Sequence, residues 1–334
     1  MTQIPIAPVP MTVITGFLGS GKTTLIAALL RRQELANTAV IINEFGEIGL
    51  DHELIESSEE DLVELSTGCL CCVMRGDLVD AVHRLMKKRG SGRGFERIVL
   101  ETTGLADPTP IVHAAMADLT LRSHVVLDRV VVTVDGMNGL ATLNTYGESR
   151  KQVGLADILL LTKTDLVTSD TNLLTERLTA MNPDAPIVRS VLGGIDPVVI
   201  TGGATTWHEE IQLKEFRPAS HQHNHQHDDI TSVSLELKTP VPAVALTLFL
   251  QAMAETFGAD LLRLKGIIQV AEDPEKPAIL NGVQHVFHSI RSLDAWPDAV
   301  PRSRLVMIGR GLTKNWIEAL LDTITEEVIE ASGE

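Results

Sequence analysis

Residues 16–23 read GFLGSGKT, and this octapeptide constrains the fold more than any other stretch of the 334-residue chain. It satisfies G-x-x-x-x-G-K-[S/T] and stands between an apolar run, MTVIT (11–15), and a helical pattern, KTTLIAALLRRQ. The glycines let backbone N–H groups turn inward around phosphate oxygens, where a side chain would obstruct them. A chance glycine-rich turn would not need a strand before it and a helix after it. Gly16, Gly19, Ser20, Gly21, Lys22, Thr23 and Thr24 are therefore read as nucleotide-binding. Lys22 is placed to act catalytically on the outer phosphates, and Thr23 to offer its hydroxyl to Mg²⁺.

A phosphate loop of this type needs a strand–turn–helix unit, and the first half of the chain repeats that alternation. TAVIIN (38–43), DLVELS (61–66), RIVLET (97–102), RVVVTVD (129–135), DILLLTKTD (157–165) and APIVRS (185–190) are short apolar runs. Helical patterns such as RGDLVDAVHRLMKK and PTPIVHAAMADL separate several of them. This predicts an α/β domain with a mostly parallel sheet covered on both faces. RPASHQHNHQHDD (217–229) is polar and of low complexity and cannot bury a face, so it reads as a linker. Beyond it, TSVSLEL, LLRLKGIIQV, QHVFHSI and RLVMIGR are expected strands, and PAVALTLFLQAMAETFG and TKNWIEALLDTITEEVIE expected helices. The expected organisation is a P-loop domain over 1–216, a His-rich linker over 217–229 and a smaller α+β domain over 230–334.

Two further segments follow the phosphate loop in order. RIVLETTGLADP ends a strand in Glu101, with Gly104 three residues on. Glu101 is placed to hold Mg²⁺ through water or to orient an attacking water, the alternative being a solvent-facing glutamate at a strand end. In LLLTKTD, Asp165 is placed to accept two hydrogen bonds from the N1–H and N2–H₂ edge of guanine, a pattern adenine does not offer. Lys163 would pack its stem along the base. Thr162 stands where the usual N-K-x-D pattern has Asn, which keeps a hydroxyl and loses an amide.

All three cysteines of the chain, Cys69, Cys71 and Cys72, lie within STGCLCCVMRGDL. Three thiols cannot all pair within one chain, and adjacent cysteines make poor structural bridges. Thiolates bind Zn²⁺, Cu⁺ and similar ions tightly, and a helix predicted to start near Arg75 would lower their pKa. A redox switch and inert packing are the competing readings. His221, His223, His225 and His227 alternate along the linker, so an extended backbone projects them to one face, suited to weak capture of Zn²⁺, Ni²⁺ or Co²⁺. A solubilising linker is the plain alternative. His285 and His288 read as structural histidines.

With 28 basic and 44 acidic residues the net charge is −16, which repels nucleic-acid backbones and anionic lipid. No apolar run approaches the roughly 18 residues of a membrane helix. The opening MTQIPIAPVP has no basic residue and no signal-type apolar core. With the cysteines clustered rather than scattered, a cytoplasmic location is expected, with no nucleic-acid and no membrane partner.

GFLGSGKTT, INEFGEIGLD, GCLCC, ETTGLADP and TKTD occur in that order, followed by a His-rich stretch and a further domain. In this the chain resembles the CobW-like branch of the P-loop GTPases along its whole length, while the urease and hydrogenase accessory GTPases resemble only its nucleotide half. The resemblance implies GTP hydrolysis coupled to handling a transition metal, with Zn²⁺ first and Co²⁺ or Ni²⁺ open, either for delivery or for homeostasis. It implies a client metalloenzyme or its assembly factor as partner, and leaves a nucleotide-dependent homodimer open. It places Asn43, Glu44 and Gly46 in a switch-like segment. Three thiols would then leave a fourth metal position to water, Glu44, His52 or a client ligand. A passive metal buffer with a structural nucleotide site is the first rival reading. A small-molecule kinase ranks last, because the second half shows no acceptor-binding motif.

Overall fold

A computed structural model describes residues 8–42, 62–64, 72–90, 94–167, 171–201, 230–287, 290–297 and 301–332. It divides into two compact units, residues 1–177 with 185–204, and residues 178–184 with 205–334.

The first unit is built on seven strands: β1 (Val9–Gly16), β2 (Thr38–Ile42), β3 (Leu62–Glu64), β4 (Arg97–Glu101), β5 (Val125–Asp135), β6 (Ile158–Thr162) and β7 (Ile187–Arg189). They lie in the order β3-β2-β4-β1-β5-β6-β7, and every pairing is parallel. Parallel neighbours need crossovers that lay helices on the faces, so the strands are buried on both sides. The five residues of β6, ILLLT, are buried throughout, which is why the run reads as continuous apolar sequence.

Helix α1 (Lys22–Leu30) lays Leu25, Ile26 and Leu29 against Ile14, Val131, Ile158 and Leu160. Helix α2 (Cys72–Gly90) buries Leu78, Ala81, Val82 and Leu85, a stripe at helical spacing. Its start precedes the position near Arg75 expected from sequence. Gly76, within the helix, is tolerated because the buried stripe beyond it outweighs its roughly 1 kcal/mol propensity cost. In the expected helix PTPIVHAAMADL, α3 (Thr109–Ala117) stops at Asp118, whose carboxylate caps a further turn, α4 (Leu119–Arg122), through Thr120 and Leu121 N–H. Helices α5 (Gly139–Thr145) and α6 (Gly147–Leu155) follow, then α7 (Asn172–Met181), whose last four residues are grouped with the second unit, and a single turn, α8 (Val198–Thr201).

In the second unit β8 (Thr231–Leu237), β9 (Leu261–Val270), β10 (Asp273–Val283), β11 (Val286–Phe287) and β13 (Ser303–Gly309) run in the order β11-β10-β9-β13-β8. The short β12 (Arg291–Ser292) pairs with β10, and all pairings are antiparallel. Helices α9 (Ala243–Phe257) and α10 (Lys314–Ser332) contribute Phe249, Met253, Ile317 and Leu321 to a core with Leu264, Leu305 and Met307. Sequence patterning did not indicate β10, because DPEKPAILNGV carries two prolines and an Asn-Gly pair. Pro274 and Pro277 fall where the β9–β10 register shifts, between Asp273 and Ala278, a place where a missing N–H breaks no ladder. The expected strand QHVFHSI shortens to Val286–Phe287 after a turn in which Gln284 takes φ +53°. His285 lies in that turn, and His288 is outside the described residues. No helix among the described residues is long and apolar enough to cross a membrane.

Candidate nucleotide site

The site lies at the carboxyl ends of β1, β4, β5 and β6, the edge at which open parallel sheets bind ligands. Gly21 caps α1 with φ +94°, a left-handed turn that favours glycine and swings the chain from loop into helix. Lys22 is 5% exposed, and its ammonium donates to the carbonyls of Gly16 (3.1 Å) and Phe17 (3.4 Å). The cation is thus held across the loop that the sequence assigns to phosphate. Thr24 is exposed two positions further along α1.

Glu101, 1% exposed at the end of β4, accepts a 3.0 Å hydrogen bond from the Thr23 hydroxyl. Two hard oxygen groups meet there beside the phosphate loop, a donor chemistry that suits Mg²⁺. The next residue, Thr102, donates its hydroxyl to Thr15 at 2.7 Å and its N–H to the Ile14 carbonyl at 3.0 Å, tying β4 to β1. At Gly104 a Cβ would stand 2.6 Å from the Leu18 nitrogen, so the 101–104 segment rides directly on the phosphate loop.

The loop is also supported from β5 and β6. Ser20 and Thr133 hydroxyls are 2.6 Å apart, and Thr133 donates to the Thr15 carbonyl at 3.2 Å. Thr162, 6% exposed, stands within hydrogen-bond distance of two carbonyls through its hydroxyl, Ser20 (2.7 Å) and Val134 (3.1 Å). The threonine at the Asn position of N-K-x-D therefore braces the backbone of the phosphate loop. Lys163 takes φ +55° and pairs with Asp135 at 2.8 Å. Burial alone would raise the Asp135 carboxyl, but hydrogen bonds from Lys163, Asn138 and Met137 outweigh it and hold the group below the usual carboxylate range. Asp165 is exposed in the turn beyond. A cavity of about 230 Å³ opens between these groups, lined by Phe17, Ser20, Thr133, Asp135, Gln152 and Lys163.

Several supports carry no motif and were not indicated by sequence. The Gln152 amide, 1% exposed on α6, donates to the carbonyls of Gly104 (3.2 Å) and Ala106 (3.1 Å). Its neighbour Lys151 pairs with Asp107 at 2.8 Å. Burial acts to raise the Asp107 carboxyl, yet the Lys151 and Thr109 bonds win and lower it. Phe17 packs on Tyr146 with ring centres 4.5 Å apart. Asp107 falls inside the ETTGLADP segment, which marks its neighbourhood, whereas Gln152 lies 48 residues from Gly104 and carries no signal of its own.

The metal candidates fare differently. Cys72 opens α2, while Cys69, Cys71, Asn43, Glu44, Gly46, His52, His221, His223, His225 and His227 lie outside the described residues. Among the described residues no group of three or more His, Cys, Asp and Glu is arranged to hold a metal ion.

A phosphate loop between a central parallel strand and a helix, braced by Glu101 and Thr162, defines a P-loop nucleoside triphosphatase. The chain belongs to the CobW/HypB/UreG family: residues 10–189 match its nucleotide-binding domain and residues 230–325 the cobalamin synthesis protein CobW C-terminal domain. Zinc chaperone YjiA of Escherichia coli is 34% identical over 313 residues, 93% of this chain and 97% of that protein. Zinc chaperone CobW of Pseudomonas aeruginosa is 30% identical, covering 95% and 92%. The crystal structure of the Zn(II)-bound YjiA GTPase from Escherichia coli is similar at a TM-score of 0.70 and 29% identity, over 96% of this chain and 99% of that one.

Proposed function

We propose that this protein is a GTP-hydrolysing metallochaperone whose cargo is a transition metal, zinc before cobalt or nickel. The observation that carries the reading is the Thr23–Glu101 pair beside the Lys22-spanned loop, in a chain that aligns with zinc chaperone YjiA across 97% of that protein. Lys22 neutralises charge on the transferring phosphoryl group, and the loop N–H groups cradle the phosphates. Mg²⁺, held by Thr23 and Glu101, supplies further neutralisation of phosphate charge when bound. Glu101 also accepts from and orients groups on the attacking side. Asp165 reads the guanine edge.

Cys69, Cys71 and Cys72 supply thiolates to the cargo ion, with Glu44, His52, water or a client ligand completing its shell. An incomplete shell suits transfer better than storage. The 221–227 histidines raise the local concentration of the ion, and the client is a metalloenzyme or its assembly factor. Support for coupling comes from connectivity: α2 starts at Cys72, and β2, β3 and β4 run parallel with β1, so their carboxyl ends share the edge that holds the phosphate loop. The domain organisation follows, with catalysis and cargo in 1–216, the linker at 217–229 and client contact in 230–334.

The test is phosphate release from GTP alongside zinc stoichiometry. Lys22→Ala is expected to abolish hydrolysis with the circular dichroism spectrum unchanged. The triple Cys69, Cys71, Cys72→Ser variant is expected to lose tightly held zinc and keep GTP binding. Normal turnover in a folded Lys22→Ala protein would remove the phosphate loop from catalysis.

A further inference from the structure

Outside the cysteine motif, His83 on α2 meets His124, which stands just before β5. His83 and His124 face each other with ring centres 5.3 Å apart and planes inclined by 76°. Both are half-buried, and their backbones are fixed. The buried stripe Leu78, Ala81, Val82 and Leu85 sets the rotation of α2, which determines where His83 projects. His124 donates its N–H to the Leu121 carbonyl, and its own carbonyl accepts from Val9 at the start of β1, each at 2.8 Å.

We propose that His83 and His124 form an exchangeable binding site for a divalent transition-metal ion, separate from the cysteines. Metal–nitrogen bonds of about 2.0–2.1 Å at a tetrahedral ion place two imidazole ring centres roughly 5 Å apart, which matches the spacing seen. The pair lines an open cleft of about 690 Å³, wide enough for water to complete the shell. Asp77, Asp80, Arg84 and Lys87 also line it, two anions and two cations, so the rim imposes no net charge on an entering ion. Asp80 precedes His83 by three positions and so shares its helix face, where a carboxylate is suited to bonding a metal-held water.

Only two protein ligands are offered, in keeping with the absence of a three-residue set among the described residues. An ion held by two imidazoles and water exchanges far faster than one in a closed thiolate shell. The site lies 11 residues along α2 from Cys72, about 16 Å at 1.5 Å per residue. Such a placement suits an ion waiting near the cysteines rather than one stored. The histidine geometry carries this inference whether or not the nucleotide reading holds.

An edge-to-face ring contact has the same spacing, so the experiment must detect the ion itself. Zn(II) is titrated into the full chain while long-range ¹H–¹⁵N spectra follow the histidine rings. His83→Asn and His124→Asn assign the two signals. The expected result is that both rings shift together once zinc exceeds the equivalent taken up by the cysteines, and that either substitution abolishes the zinc response of the other ring. Rings that move independently, or stay still while the 221–227 histidines respond, would reduce the pair to a packing contact. The wild-type titration decides the matter even where a variant folds poorly.

Discussion

Thr162 shows how a single residue can carry a different task from the one its motif suggests. In the T-K-x-D segment the threonine takes the place of an amide, and its buried hydroxyl lies 2.7 Å from the Ser20 carbonyl and 3.1 Å from that of Val134. Thr162→Val keeps the shape and removes the donor, leaving buried carbonyls short of a partner at a cost of about 1–3 kcal/mol. The expected outcome is a lower melting temperature and weaker binding of GTP and ATP alike, because the phosphate loop loosens while the base reader is untouched. Thr162→Ser should restore both. A selective loss of GTP over ATP would instead assign Thr162 to base recognition. Asp165 is the residue expected to discriminate: Asp165→Asn presents a donor where the carboxylate accepted and should shift preference toward xanthosine triphosphate. Competition binding with the three nucleotides measures this, and equal competition by ATP in the wild type would defeat the guanine assignment.

At the scale of elements, α6 works as a clamp on the segment after β4. Gln152 donates twice into the Gly104–Ala106 backbone and Lys151 holds Asp107. Gln152→Leu fills the same space without the donors and should cost about 1–3 kcal/mol, measured by urea denaturation, with a fall in kcat larger than any change in KM for GTP. Unchanged turnover would show that the clamp does not serve catalysis. Much of the parallel sheet was legible because strands buried on both faces read as uninterrupted apolar runs, as β6 does. Strand β10 was not, since its prolines and Asn-Gly pair match turn chemistry and only the register shift accommodates them. The phosphate-loop residues, Glu101 and Gly104 were legible because each sits at a fixed offset from a strand end. Ser20–Thr133, Lys163–Asp135 and Gln152 were not, because their partners lie far apart in sequence and only the fold brings them together.

At the scale of the whole molecule the account joins a nucleotide site to a metal cargo. The net charge of −16 favours the approach of cations in general, an effect that salt screens, and so confers no selectivity of its own. Under the proposed function, selectivity and release come from the cysteines and from the nucleotide state. If both ligands bias the same segments, linkage requires that GTP·Mg²⁺ change zinc affinity by the factor by which zinc changes GTP affinity. The most direct measurement is a zinc competition titration with a chromophoric chelator, run on the full chain with GDP and with a slowly hydrolysed GTP analogue. The account predicts tighter zinc with the analogue, by about 5- to 150-fold for a coupling of roughly 1–3 kcal/mol, and loss of the difference in the triple Cys→Ser variant. Equal zinc affinity in the two nucleotide states would contradict it and leave a metal buffer that happens to bind nucleotide.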